Sequence, residues 1–141
     1  MEKWTNGLVL SGGGARGFAH LGALQAMEEN NWRIDLISGV SAGALTGVFY
    51  AAGFKPRDIL NILKELEMFD YSKVSMPRGG FLELTGMRKS FKKALKVTQF
   101  SDLHMPFYVA VTNLNKGRIE YINKGNVIDA VVASSSIPIL F

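Results

Sequence analysis

Apolar and polar positions along this chain alternate between two periods. Residues 8–10 form a short apolar run of the kind that makes a buried strand, and residues 19–30 then repeat Leu21, Ala23, Leu24 and Met27 at helical spacing. A second strand is predicted over 34–38. From residue 42 a helix rich in Ala42, Gly43, Ala44, Gly47, Ala51 and Ala52 runs to Gly53, a C-cap glycine; its small side chains permit close backbone packing. Pro56 opens a further helix to 66, and residues 69–80 read as irregular around Pro77, Gly79 and Gly80. Residues 87–96 return to helical spacing, with Met87, Phe91, Ala94 and Leu95 on one apolar face. Two strands, 107–112 and 118–123, join as a hairpin at Asn115, Lys116 and Gly117, and Asn126 caps a last helix to 133. Strands alternating with helices predict an α/β fold, with a mostly parallel sheet and an antiparallel pair at one side.

At 141 residues, with 48% hydrophobic and 20% charged, the chain suits one globular domain, residues 1–141. It has no cysteine, which excludes a disulfide framework, a thiolate metal site and a cysteine nucleophile. The first seven residues carry an early acid and no long apolar run, which argues against a signal peptide, and residues 43–54 are too short and glycine-rich to span a bilayer. The expected location is cytoplasmic, at most peripheral to a membrane. The net charge is +4, and Arg88, Lys89, Lys92, Lys93 and Lys96 supply part of the excess. These cations read first as a solvated helix face and second as a patch resting on anionic lipid. No nucleic-acid-binding motif accompanies them.

Chemistry is concentrated in two glycine-rich turns. Gly12, Gly14 and Gly17 satisfy G-x-G-x-x-G between a strand and a helix, with Asp35 eighteen residues further on, the arrangement of a dinucleotide site. Immediately after the second strand, however, Gly39–Val–Ser41–Ala–Gly43 is G-x-S-x-G on a strand-to-helix turn, which displays a serine hydroxyl on a tight bend. Acyl transfer needs backbone N–H groups aimed where negative charge develops, each worth roughly 3–4 kcal/mol of barrier. Gly12, Gly13 and Gly14 are the candidate donors for such an oxyanion hole, Ser41 the candidate nucleophile, and Gly39 and Gly43 the glycines of its elbow.

With both motifs in view, the chain resembles the patatin-like phospholipases. "SGGGARGFAHLGAL" followed by "GVSAGAL" matches G-G-G-x-R-G and G-x-S-x-G at about the family's separation, and the end of the chain, with "ASSSIP", is similar to the family's A-S-x-x-x-P segment. The resemblance implies a three-layer α/β/α sandwich, hydrolysis of lipid acyl esters by a Ser–Asp dyad, no cofactor or metal, Arg16 and Gly17 positioning the oxyanion loop, and a lipid substrate as partner. It also implies an aspartate in an Asp-Gly pair after the proline segment. The chain holds no such pair, so it reads as truncated on its carboxy-terminal side, with little turnover and a tendency to self-associate by itself. Asp35, Asp129, His20 and His104 are weaker candidates for a base, because a base must lie within hydrogen-bond reach of its nucleophile. Two other readings stay open, a dinucleotide-binding domain and a non-catalytic lipid-binding relative.

Overall fold

A computed structural model of the chain describes residues 5–66 and 80–136. Its elements are β1 (Gly7–Leu10), a 3-10 turn (Gly14–Gly17), α1 (Phe18–Glu29), β2 (Leu36–Gly39), α2 (Ala42–Ala51), α3 (Pro56–Glu65), α4 (Gly80–Leu95), a second 3-10 turn (Phe100–Asp102), β3 (Phe107–Asn113), β4 (Arg118–Ile122) and α5 (Val127–Ser135). The sheet order is β1-β2-β3-β4; the first two pairings are parallel and β3 with β4 is antiparallel. The α/β class and the mostly parallel sheet with an antiparallel pair at one side are therefore those expected. The segment 69–80 expected to be irregular lies outside the described residues apart from Gly80, as do residues 1–4 and the proline of the "ASSSIP" stretch.

Parallel pairing brings the two glycine turns together. Leu10 stands opposite Gly39 at the carboxy ends of β1 and β2, so the loop after β1 and the turn after β2 leave the sheet side by side. Helix α2 runs back from that end against β1, β2 and β3, with nine of its ten residues buried. It can lie this close because Gly47 has no side chain: a Cβ there would stand 2.8 Å from the Phe107 ring and 3.2 Å from Ile37 Cγ2. The helix ends as its sequence predicts. Gly53 adopts φ +95°, its N–H donates to the Tyr50 carbonyl, the Phe54 N–H donates to the Phe49 carbonyl, and the Phe54 ring packs edge-on against Phe49 at 5.5 Å.

Helices α2 and α5 cover the sheet face carrying Leu10, Ile37, Phe107 and Val109, all buried. The amphipathic α3 adds Ile59 and Leu63, and α4 adds Phe91 and Leu95, to the same core. Several edges differ from expectation for local reasons. Strand β2 starts at Leu36 because its partner β1 starts at Gly7; before that, the Asp35 N–H reaches across to the Asn6 carbonyl. Helix α4 begins at Gly80 rather than at 87, since the Leu-Glu-Leu that follows carries enough helix propensity to outweigh the glycine. On α1, Leu21 and Leu24 are buried as expected but Ala23 is exposed. No helix among the described residues is long and apolar enough to cross a membrane.

Candidate active site

Ser41 sits between β2 and α2 with φ 51° and ψ −119°, a conformation that L-residues seldom adopt and that costs on the order of 1–3 kcal/mol. Such a residue persists only where its surroundings leave no other choice. Here they do so on three sides. The Val40 N–H donates to the Leu10 carbonyl and the Gly43 N–H closes the turn onto the Val40 carbonyl. Gly43 packs so tightly on the neighbouring strand that a Cβ would stand 2.1 Å from the Leu10 carbonyl oxygen, and one on Gly39 would stand 2.6 Å from the Gly43 carbonyl oxygen. The Ser41 N–H donates to Ser134 Oγ at 2.9 Å.

Serine at a helix N-cap ordinarily spends its hydroxyl on the first amides of the helix. Ser41 is the N-cap of α2 and makes no such bond, so its half-buried Oγ is left for other chemistry at the positive end of that helix. The glycine loop lies directly beside it: a Cβ on Gly12 would stand 3.5 Å from Ser41 Cβ. Gly14 adopts φ +56°, and Gly13, at φ +158° near the limit of the left-handed region, accepts the Arg16 N–H through its carbonyl at 3.1 Å. Arg16 therefore shapes the loop through its backbone while its side chain is exposed, and Gly17 is buried where the loop enters α1. The structure thus brings together Gly12, Gly13, Gly14, Gly39, Ser41 and Gly43.

The other candidates lie elsewhere. Asp35 precedes β2, at the end of the sheet opposite the glycine loop. Its carboxylate accepts the amides of Thr5 and Asn6 and pairs with Arg33. Those two amides chiefly, with Arg33 adding to them against the cost of burial, hold its pKa below the ordinary carboxylate value. It is a staple for the start of β1, neither a base for Ser41 nor a ribose ligand beside Gly12, and the dinucleotide reading falls with it. Asp129 pairs with Arg88 at 2.7 Å across α5 and α4. The His20 Nε2 lies 2.8 Å from the Ser11 carbonyl oxygen, tying α1 to the glycine loop. The His104 ring fills the space beside Gly53, where a Cβ would stand 2.5 Å from Nδ1, and the His104 backbone N–H donates to the Ala51 carbonyl. No metal-ligating cluster occurs among the described residues.

Arg88, Lys89, Lys92, Lys93 and Lys96 are exposed. The chain after α4 reaches the start of α5, where the Val127 N–H donates to the Thr98 carbonyl, while Ser134 meets the serine turn from the other end of α5. The last basic turn of α4 thus lies toward the opposite end of α5 from Ser41.

Fold and site together describe an α/β protein that presents a serine on a strained strand-to-helix turn next to a glycine loop at the helix end. A patatin-like phospholipase family model matches residues 8–141, and the chain belongs to that family. It is 36% identical over 145 residues to lysophospholipase nte1 of Neurospora crassa, covering 93% of this chain and 9% of the relative. It is 35% identical over 141 residues to lysophospholipase NTE1 of Coccidioides immitis, with the same coverage, 93% and 9%. The chain therefore spans about a tenth of the length of these curated relatives. Among solved structures, ExoU in complex with SpcU from the type III secretion system of Pseudomonas aeruginosa superposes with a TM-score of 0.68 at 18% identity, over 98% of this chain and 39% of that one. VipD from Legionella pneumophila gives 0.65 at 19%, over 99% and 43%. These likenesses carry the fold.

Proposed function

We propose that residues 1–141 form a single patatin-like domain and supply the nucleophile and the anion-binding loop of a serine lipid acyl hydrolase. The observation that carries this reading is the closeness of Gly12, where a Cβ would reach Ser41, to a strained serine whose hydroxyl caps no helix amide. In the reaction, Ser41 Oγ attacks the ester carbonyl carbon while an aspartate outside these residues takes its proton. The amides of Gly12, Gly13 and Gly14 hold the tetrahedral oxyanion. The leaving alcohol departs with that proton, and water then releases the acyl group from Ser41. The names of the fungal relatives extend to this chain a lysophospholipid as the first substrate class to try.

The 141 residues alone are expected to turn over little substrate, because an unactivated serine hydroxyl is a poor nucleophile at neutral pH. The test is the intact mass of the protein before and after a fluorophosphonate probe, run beside fatty-acid release from a lysophospholipid. A single adduct that disappears in Ser41→Ala supports the reading, and esterase activity retained in Ser41→Ala overturns it. A protein that neither labels nor turns over, in the presence of the complementing aspartate, would leave a non-catalytic lipid-binding role.

A further inference from the structure

Ser134 lies in the last turn of α5, far from Ser41 in the chain, yet its hydroxyl is the side-chain group that binds the backbone of the strained residue. Its Oγ donates to the Ala110 carbonyl of β3 at 2.6 Å and accepts the Ser41 N–H at 2.9 Å. A hydroxyl has one proton to give. Since that proton is committed to Ala110, a lone pair is turned toward Ser41, and the direction of both bonds is fixed. One half-buried oxygen thus ties together the sheet, the last helix and the turn that displays the serine.

We infer that Ser134 is a positioning residue for Ser41, holding it at positive φ and thereby aiming its Oγ along the glycine loop. Three features support this. The remaining constraints on the turn act on its neighbours and on the Ser41 carbonyl: Val40 bonds to Leu10, Gly43 bonds to Val40, the Leu45 N–H donates to the Ser41 carbonyl as α2 begins, and Gly39 and Gly43 provide the clearance. The Ser134 bond acts on the nucleophile's own amide. That bond also removes the Ser41 N–H from the set of donors open to an oxyanion, which leaves the role to other amides, those of the glycine loop among them. Finally, the requirement is narrow, because alanine deletes the bridge and a longer polar side chain would not fit between Ala110 and Ser41 at these distances. The inference deepens the proposed function and, for its catalytic consequence, rests on it.

Two measurements on the full chain separate this inference from the hydrolase reading. The first is residue-resolved hydrogen–deuterium exchange. Ser134→Ala is expected to speed exchange of the Ser41 amide roughly tenfold or more, as loss of one hydrogen bond would, while the β2 and β3 amides keep their protection. Ser134→Thr, which retains the hydroxyl, is expected to restore it. If Ser134→Ala does not fold, Ser134→Cys, similar in size and a poor acceptor, carries the same comparison. Unchanged exchange at Ser41 overturns the positioning role whatever the enzyme does. The second measurement is ester turnover with the complementing aspartate present, where Ser134→Ala is expected to lower kcat with KM unchanged and Ser134→Thr to recover it. Faster exchange with an unaltered kcat would reduce Ser134 to a structural tie. A wild-type protein that shows no adduct at Ser41 even with the complementing aspartate present refutes the hydrolase reading and leaves the exchange result to decide the role of Ser134.

Discussion

At the scale of single residues, the turn around Ser41 works through what is missing as much as through what is present. Gly43 has no Cβ because the space is held by the Leu10 and Ser11 carbonyls of the neighbouring loop, the first of them 2.1 Å from where that carbon would lie. Backbone cannot yield as a flexible side chain can. Gly43→Ala is therefore expected to destabilise the fold by about 2 kcal/mol or more, read as a lowered midpoint of denaturant unfolding, and an unchanged midpoint would contradict the close approach. The motif made this glycine legible in the sequence; the carbonyl it faces was not, because that contact crosses from one strand to the next.

Asp35 gives a second prediction at this scale. Its pKa lies below the ordinary value because the folded chain offers the carboxylate two backbone amides and Arg33. A depressed pKa means that the ionised form is favoured by folding. The stabilisation is then present above the unfolded value, about pH 4, and is lost as pH falls through the lower folded one. Asp35→Asn should lower the melting temperature near neutral pH, and the difference from wild type should shrink as the pH is taken below 4. A gap that persists at low pH would point to a cause other than charge. The sequence alone allowed Asp35 to be a ribose ligand, since eighteen residues is the right interval. It could not say that the acid precedes its strand and faces the far end of the sheet.

At the scale of elements, amphipathic patterns were read well and helix limits less so. The buried pair Phe91 and Leu95 was visible as helical spacing, and the structure packs the Phe91 ring 5.3 Å from Phe49 of α2. Phe91→Ala removes a ring with no solvent exposure and should cost about 3–5 kcal/mol, measurable as a drop in unfolding free energy. A loss below about 1 kcal/mol would mean that α4 does not hold this position. The amino-terminal extension of α4 to Gly80 went unread because glycines are taken as breaks, while the outcome depends on the sum of propensities over the turn that follows. Helix α2 shows the converse. Its Ala and Gly positions implied close packing, and Gly47 against Phe107 and Ile37 is that packing.

At the scale of the whole molecule, the strand register places Val9, Ser38, Tyr108, Ala110 and Tyr121 on one side of the sheet, with Ile119 beside them. Val9, Ile119 and Tyr121 are 78%, 61% and 66% exposed, and the helices that contact the sheet most, α2 and α5, cover the opposite face. Among the described residues the sheet ends in the edge strand β4, and an apolar sheet face beside an unpaired edge favours association. The 141-residue chain is accordingly expected to sediment as a species larger than a monomer at micromolar concentration, and replacing Ile119 with lysine and Tyr121 with serine should shift it toward monomer. A monodisperse wild-type monomer would contradict this.

The class of fold, the alternation of strands and helices, the ends of α2, the Asn126 cap that opens α5, and the two glycine motifs with Ser41 inside the second were all legible in the order of residues. These follow from short-range rules: hydrophobic period, capping chemistry and turn residues act over a few positions and can be read along the chain. That Gly12 lies beside Ser41, that Asp35 belongs to the other end of the sheet, and that Ser134 bonds the amide of Ser41 emerge from the folded arrangement alone. Each of these depends on strand order and on which carbonyl or hydroxyl a folded neighbour presents, and contacts between residues up to 93 positions apart leave no periodic trace in the sequence.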